Sequence, residues 1–161
     1  MYTIIINTGG NMQTFICFTD MPSLTARFLD RQRLGKQRVE ALQIMQVLLG
    51  LQESKGWKHH PAVLMWKGYE PYLLKVYIRA MLDEWAIRGY KNTKSEEKYQ
   101  QYLDYIEGRD VVKPPWITEQ FCKSHRSNLL RKDYDYYKKY FNEPNNLPYV
   151  WPVTKETINV N

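Results

Sequence analysis

Apolar side chains recur at helical spacing along most of the chain. Val39, Leu42, Met45 and Leu49 form one stripe, and Leu73, Val76, Tyr77, Ala80, Met81 and Trp85 form a longer one. Tyr99, Leu103 and Ile106 follow the same period. The pattern predicts a mainly α fold, a compact single-domain helical bundle over residues 1–161. Punctuating residues set the element ends. Asp20 before Pro22 predicts an N-cap and a helix to about Arg33, and Gly35 predicts an interruption with a second helix beginning near Lys36. A loop over 52–60 leads at Pro61 into a short apolar helix over 62–66. Gly89 and Gly108 end the long middle helix and its successor, and Thr93 with Glu96 reads as a capping box for the latter. Shorter helices are predicted over 116–121, 124–132 and 134–141, followed by an aromatic strap rich in Pro and Asn over 144–152. Residues 1–18 depart from this rhythm. Two β-prone runs there flank a Gly-rich turn, which predicts a short N-terminal hairpin or extended segment. The last residues, from Thr154, are expected to fray.

Composition narrows the class. An apolar share of 43% and a charged share of 25% are those of folded globular chains, which excludes wholesale disorder. A chain of 161 residues buries enough surface to fold without staples. The two cysteines, Cys17 and Cys122, lie far apart and belong to no Cys/His cluster of zinc spacing, so neither a metal nor another cofactor is expected. The apolar run at 4–6 is too short for a signal peptide or a membrane span. The expectation is a cytoplasmic protein with reduced thiols and no membrane partner, with self-association left open.

Charge sharpens the picture because it is regional. Residues 27–38 carry five cations against Asp30, and residues 123–139 carry six against Asp133 and Asp135. Each stretch has an excess of four within a net charge of +6, so the remainder of the chain is slightly acidic. Two such stretches fit a footprint on a polyanion, DNA or a small nucleotide, and also fit two solvated helix faces.

Three segments carry candidate chemistry. In DRQRLGKQRVE, at 30–40, a turn at Gly35 would bring Arg33 together with Lys36, Gln37 and Arg38 at a helix N-terminus suited to phosphate. Arg27 and Arg31 lie just before it, and Asp30 and Glu40 are carboxylates able to move a proton. Lys36 is a candidate amine. A salt-bridged helix junction would show the same pattern. In SHRSNLLRK, at 124–132, His125, Asn128, Arg131 and Lys132 share one helical face, with Ser124 and Arg126 beside them, while Leu129 and Leu130 turn inward. A capped surface helix would also fit. In KHHPAVLMWKGYE, at 58–70, His60 is either a turn cap or a ligand-binding group. Trp66, Tyr69 and, in the strap, Trp151 are either core or stacking platforms.

MQTF, LDRQRLGKQRVEALQI, HHPAVLMWKGYE, DEWAIRGY, SHRSNLLRKD and LPYVWPV together resemble the pyrimidine-dimer DNA glycosylase family, founded by phage endonuclease V, and most closely its bacterial and phage branch. The resemblance spans residues 12–153. It implies an all-helical fold and a DNA N-glycosylase with a lyase step. In such enzymes an N-terminal amine forms an imine at the sugar C1′, a first-helix carboxylate manages protons, and arginines grip phosphates. The resemblance also marks two departures. The founders begin at the residue matching Gln13, so the usual amine requires a start at Met12, and their catalytic glutamate is matched by Arg33, with Asp30 the nearest carboxylate. The leading expectation is therefore a glycosylase-like protein acting on a damaged or modified base in DNA. The alternative is a non-catalytic sponge that holds a small signalling nucleotide in the same cationic pocket in phage–host conflict. An accessory DNA-binding module without chemistry is a third reading.

Overall fold

The computed structural model describes residues 12–51 and 57–152 and is mainly helical. The first arm of the expected hairpin, most of the loop over 52–60 and the tail from Thr154 lie outside the described residues. The second hairpin arm, residues 12–18, forms no strand.

The chain enters through a short 3-10 turn, Pro22–Leu24, and helix α1, Thr25–Phe28. Asp20 caps neither, and Leu29 takes an extended backbone that breaks the helix before Arg33. Asp30 then serves as the N-cap of α2, Arg31–Leu48, its carboxylate accepting from the Arg33 amide at 3.4 Å. Helix α2 runs unbroken through Gly35, against the expected interruption. Gly35 is needed for a different reason. A Cβ there would meet two ring carbons of Trp85 at 3.0 and 3.1 Å. Tyr90 backs that ring at a centroid distance of 4.3 Å and the Arg38 guanidinium lies over it at 4.7 Å, so it has little room to retreat. Gly35→Leu is expected to destabilise the protein by about 1–3 kcal/mol despite better helix propensity, read as a lower urea midpoint. A midpoint equal to the wild type would contradict this close-contact role. The buried stripe of α2 is Leu34, Gln37, Ala41, Leu42, Ile44 and Met45, whereas Val39, expected inside, is 44% exposed.

His60 caps α3, Pro61–Leu64, through Nδ1, which accepts from the Ala62 amide at 3.0 Å. Helix α4, Glu70–Tyr72, passes into a π-helical stretch, Leu73–Ile78, and then into α5, Arg79–Ile87. The wider turn of the π stretch buries Leu73, Leu74, Tyr77 and Ile78 together and lets the Tyr77 hydroxyl donate to Gln37 Oε1 on α2. Gly89, at φ +92°, closes this run as expected. Helix α6, Thr93–Tyr105, has no capping box, because Thr93 is its first residue and the cap position is Asn92. Glu96 is held instead by Arg79 of α5, with Nη1 at 2.9 Å from Oε2.

The two helices expected over 116–121 and 124–132 are a single one, α7, Glu119–Lys132, capped by the Thr118 hydroxyl. It is enclosed on nearly every side: Phe121, Cys122 and all residues from Ser124 through Leu130 are buried. Helix α8, Tyr134–Tyr137, is shorter than predicted. Residues 144–152 return along α7, where the Ser127 hydroxyl donates to the Pro144 carbonyl and Arg131 donates to the carbonyls of Asn145 and Leu147 at 3.0 and 3.1 Å.

Between α2 and α7 runs the extended segment 12–18, and both helices bind its backbone. Gln37 of α2 donates to the Gln13 carbonyl at 2.7 Å and accepts from the Phe15 amide at 3.0 Å. On α7, His125 Nδ1 accepts from the Ile16 amide at 3.0 Å, and Arg126 Nη1 donates to the Cys17 carbonyl at 2.7 Å. A buried backbone segment outside a sheet must find partners among side chains, and these polar residues supply them. Among the described residues, no helix is long and apolar enough to cross a membrane.

Candidate functional site

Helix α2 turns Arg33, Lys36 and Glu40 to one side of the Gln37–Gln13 bond. The last residue of α7, Lys132, reaches the same place from across residues 12–18. Together with Gln13, Phe15, Gln32 and Gln37 they line a cleft of about 70 Å³. Gln13 is fixed there at two points, through its carbonyl by Gln37 and through its side-chain oxygen by Asn128 Nδ2 at 2.9 Å.

Glu40 is the carboxylate of this cleft. Its side chain is 12% exposed, Lys36 Nζ lies 3.6 Å from Oε1, and the buried Oε2 has no hydrogen-bond partner. Burial raises its pKa above the ordinary carboxylate value, while the Lys36 ammonium and the adjacent Gln13 backbone pull the other way. Lys132 is pushed down, first by burial and then by Arg33, Lys36 and Arg131, with Glu40 opposing. The cleft thus holds three cations around one half-satisfied carboxylate. It can seat an anionic oxygen among the cations while Glu40 exchanges a proton beside it.

Asp30 is committed elsewhere. Besides capping α2 it pairs with Arg33 at 3.2 Å and accepts from the Tyr137 hydroxyl, whose oxygen in turn accepts from the Asp30 amide at 3.0 Å. The expected phosphate seat at a helix start near Lys36 is absent because α2 begins at Arg31. Arg27 and Arg31 are exposed and outside the cleft, with Arg31 over the Tyr90 ring at 5.7 Å. Arg38 points away from it, donating to Asn92 Oδ1 at 3.2 Å and Ser95 Oγ at 2.7 Å.

The face of α7 expected to receive a ligand is mostly internal. His125 is fully buried, and burial lowers its pKa to about 3, so the ring is neutral. Ser124 donates to the Phe121 carbonyl at 2.7 Å and accepts from the Val150 amide at 3.3 Å. Arg126 is held by Glu119 and Glu143, each at 2.6 Å, and Arg131 ties down the strap. Of that face only Lys132 lines the cleft, with Asn128 acting through Gln13.

His60 is a cap with its ring 6.0 Å from that of Trp151, and burial lowers its pKa. Trp66 is fully buried and donates to the Thr14 hydroxyl at 3.0 Å, which leaves no ring face for a base. Trp151 is buried against Tyr149, while Tyr69 is half-buried with its ring perpendicular to that of Trp116. Gln32 gave no signal of its own in the sequence, and only the path of residues 12–18 makes Gln13 and Phe15 neighbours of Lys132. Among the described residues, no group of three or more His, Cys, Asp or Glu side chains is placed to hold a metal.

A sequence model of the pyrimidine dimer DNA glycosylase family matches residues 12–98, more than half of the chain. No curated protein and no solved structure matches it significantly. The matched stretch contains every cleft residue except Lys132. With its helical architecture, this chain belongs to the pyrimidine dimer DNA glycosylase family.

Proposed function

We propose that the chain is a cytoplasmic DNA N-glycosylase with an associated lyase step, acting on a damaged or modified base, and that the cleft between α2 and the end of α7 is its reaction site. The observation that carries the proposal is Glu40, a mostly buried carboxylate with one unpartnered oxygen, set among Arg33, Lys36 and Lys132. A carboxyl with a raised pKa is suited to donate a proton to a departing base and then to accept one as carboxylate. Arg33 and Lys132 supply the charge that binds the flanking phosphates. Lys36 is the amine nearest Glu40. Passing a proton from the Lys36 ammonium to the Glu40 carboxylate leaves a neutral amine beside a carboxyl. In the glycosylase step the amine bonds to C1′ as the bond from C1′ to the base breaks, the base departing with the proton from Glu40. In the lyase step loss of the amine proton with opening of the sugar ring gives the imine, from which a C2′ proton is lost as the C3′–O bond to the phosphate breaks. The target nucleotide must leave the base stack to reach these groups.

Size favours DNA over a sequestered small nucleotide in this cleft. A cavity of about 70 Å³ is far below the roughly 300–1,000 Å³ of small-molecule sites, so it accepts the reacting group and not a whole nucleotide. Duplex binding is expected to weaken on the order of a thousandfold between low and moderate salt. Against duplexes carrying a cyclobutane pyrimidine dimer or oxidised and alkylated bases, the wild type is expected to release a base, and Glu40→Gln to slow release about a hundredfold with duplex affinity retained. Undiminished release by Glu40→Gln would remove Glu40 from the chemistry. Absence of release from every duplex, with salt-insensitive mononucleotide binding that Lys36→Gln abolishes, would favour the sponge.

A further inference from the structure

At about 3.6 residues per turn, Arg38 and Leu42 lie on the side of α2 nearly opposite Arg33, Lys36 and Glu40, and Val39 lies between the two sides. There, between α2 and the start of α6, is a second and larger cleft of about 430 Å³. Four of its lining residues are cations, Arg38, Lys91, Lys94 and Lys98, and none is a carboxylate. Among the described residues, no carboxylate lies within ion-pair distance of Lys91, Lys94 or Lys98. Like charges gathered around a concavity repel one another and raise the local concentration of anions.

Two further features suit an anion of a particular kind. Arg38 is held in place by Asn92, Ser95 and the Trp85 ring, yet its buried Nε has no partner. Because Asn92 Oδ1 is engaged by Arg38, it does not cap α6, and the first turn of that helix has no side-chain cap. Those first-turn residues line the cleft. On the α2 side, beside Arg38, Val39 and Leu42 add apolar surface, and Val39 is left 44% exposed. Four cations next to an apolar surface, in a volume within the usual range for small-molecule sites, match a phosphate joined to a flat, weakly polar body.

We infer that the cleft between α2 and the start of α6 is a second ligand site, which binds a small nucleoside phosphate independently of the reaction cleft. The phosphate meets Lys91, Lys94, Lys98 and the Arg38 guanidinium, and the base or sugar lies on Val39 and Leu42. A phosphodiester of bound DNA offers the same chemistry, but a duplex seated at the reaction cleft lies across α2 from this one.

Calorimetric titration of the whole chain with dAMP, and separately with inorganic pyrophosphate, tests the inference. The wild type is expected to bind dAMP saturably. Lys91→Gln/Lys94→Gln/Lys98→Gln, which changes only exposed side chains, is expected to weaken dAMP about tenfold or more and to leave Tm and duplex affinity unchanged. Val39→Glu, placing a carboxylate in the cleft without touching a lysine, is expected to do the same, whereas Lys36→Gln leaves dAMP binding intact. The inference is overturned if neither probe binds the wild type at millimolar concentration, or if the triple variant binds dAMP as well as the wild type. It is also overturned if the triple variant loses duplex affinity while mononucleotides bind neither protein, which would assign these lysines to the DNA backbone.

Discussion

Arg126→Ala is expected to cost about 3–5 kcal/mol, a large part of the roughly 5–15 kcal/mol that holds a domain folded. The guanidinium is 10% exposed and donates to three acceptors: the Cys17 carbonyl, Glu119 and Glu143. Glu119 is well exposed and recovers solvation when its partner goes. Glu143 is 13% exposed and already has a buried oxygen without a partner, so truncation of Arg126 leaves a buried carboxylate without a counter-charge. The cost comes chiefly from this orphaned charge, so removing both charges is milder. Arg126→Met/Glu143→Leu is expected to recover much of the loss, seen as non-additivity in a double-mutant cycle by urea denaturation. If Arg126→Ala shifts stability by less than about 1 kcal/mol, the Arg126 cluster does not hold residues 12–18 in place.

Acid is expected to unfold the protein in a window set by His125. Its pKa falls from 6.5 to about 3 in the fold because burial disfavours the imidazolium. Between these values the unfolded chain binds a proton that the native chain does not. Stability is therefore complete above pH 6.5 and declines toward pH 3, at up to about 1.4 kcal/mol per pH unit. His60, also lowered by burial, adds to the decline, while Glu40, raised by burial, opposes it. Glu96 and Glu119, whose arginine partners lower their pKa values, lose stabilisation only at lower pH. His125→Asn keeps an acceptor for the Ile16 amide without the titration, and unfolding followed from pH 7 to pH 4.5 is expected to show a shallower slope for that variant. Equal slopes would place the acid sensitivity elsewhere.

The helical architecture was legible because the apolar spacing of α5 and α6 follows from local geometry. The errors arose where one residue type serves two purposes. A glycine after an apolar run signals a helix end at Gly89, yet Gly35 has the same local setting and lies mid-helix, because its partner Trp85 is 50 positions away. Thr93 and Glu96 have capping-box spacing, but Arg79 takes the glutamate. The polar face of α7 is the segment whose sequence pattern least foretells its internal role. Ser124, His125, Arg126 and Arg131 are hydrogen-bonding residues grouped as a binding site would group them, and they bind the protein's own backbone. At the cleft between α2 and the end of α7, Lys36, Glu40 and Lys132 are each recognisable as chemistry-bearing. That Lys132 faces the other two is not, since it depends on a segment more than a hundred residues upstream.

That segment also dictates how the molecule must assemble. The Ile16 amide and the His125 ring are separated by 109 positions, and the Gln13 side chain and Asn128 by 115. Local helices can form early, but the centre stays open until ends this distant have met, and the entropy of closing such a span is met before any of those contacts is made. The stretch matched by the family and the stretch beyond it are therefore companions in folding: severed from one another, each would be left with interior polar atoms whose partners among the described residues lie on the missing half.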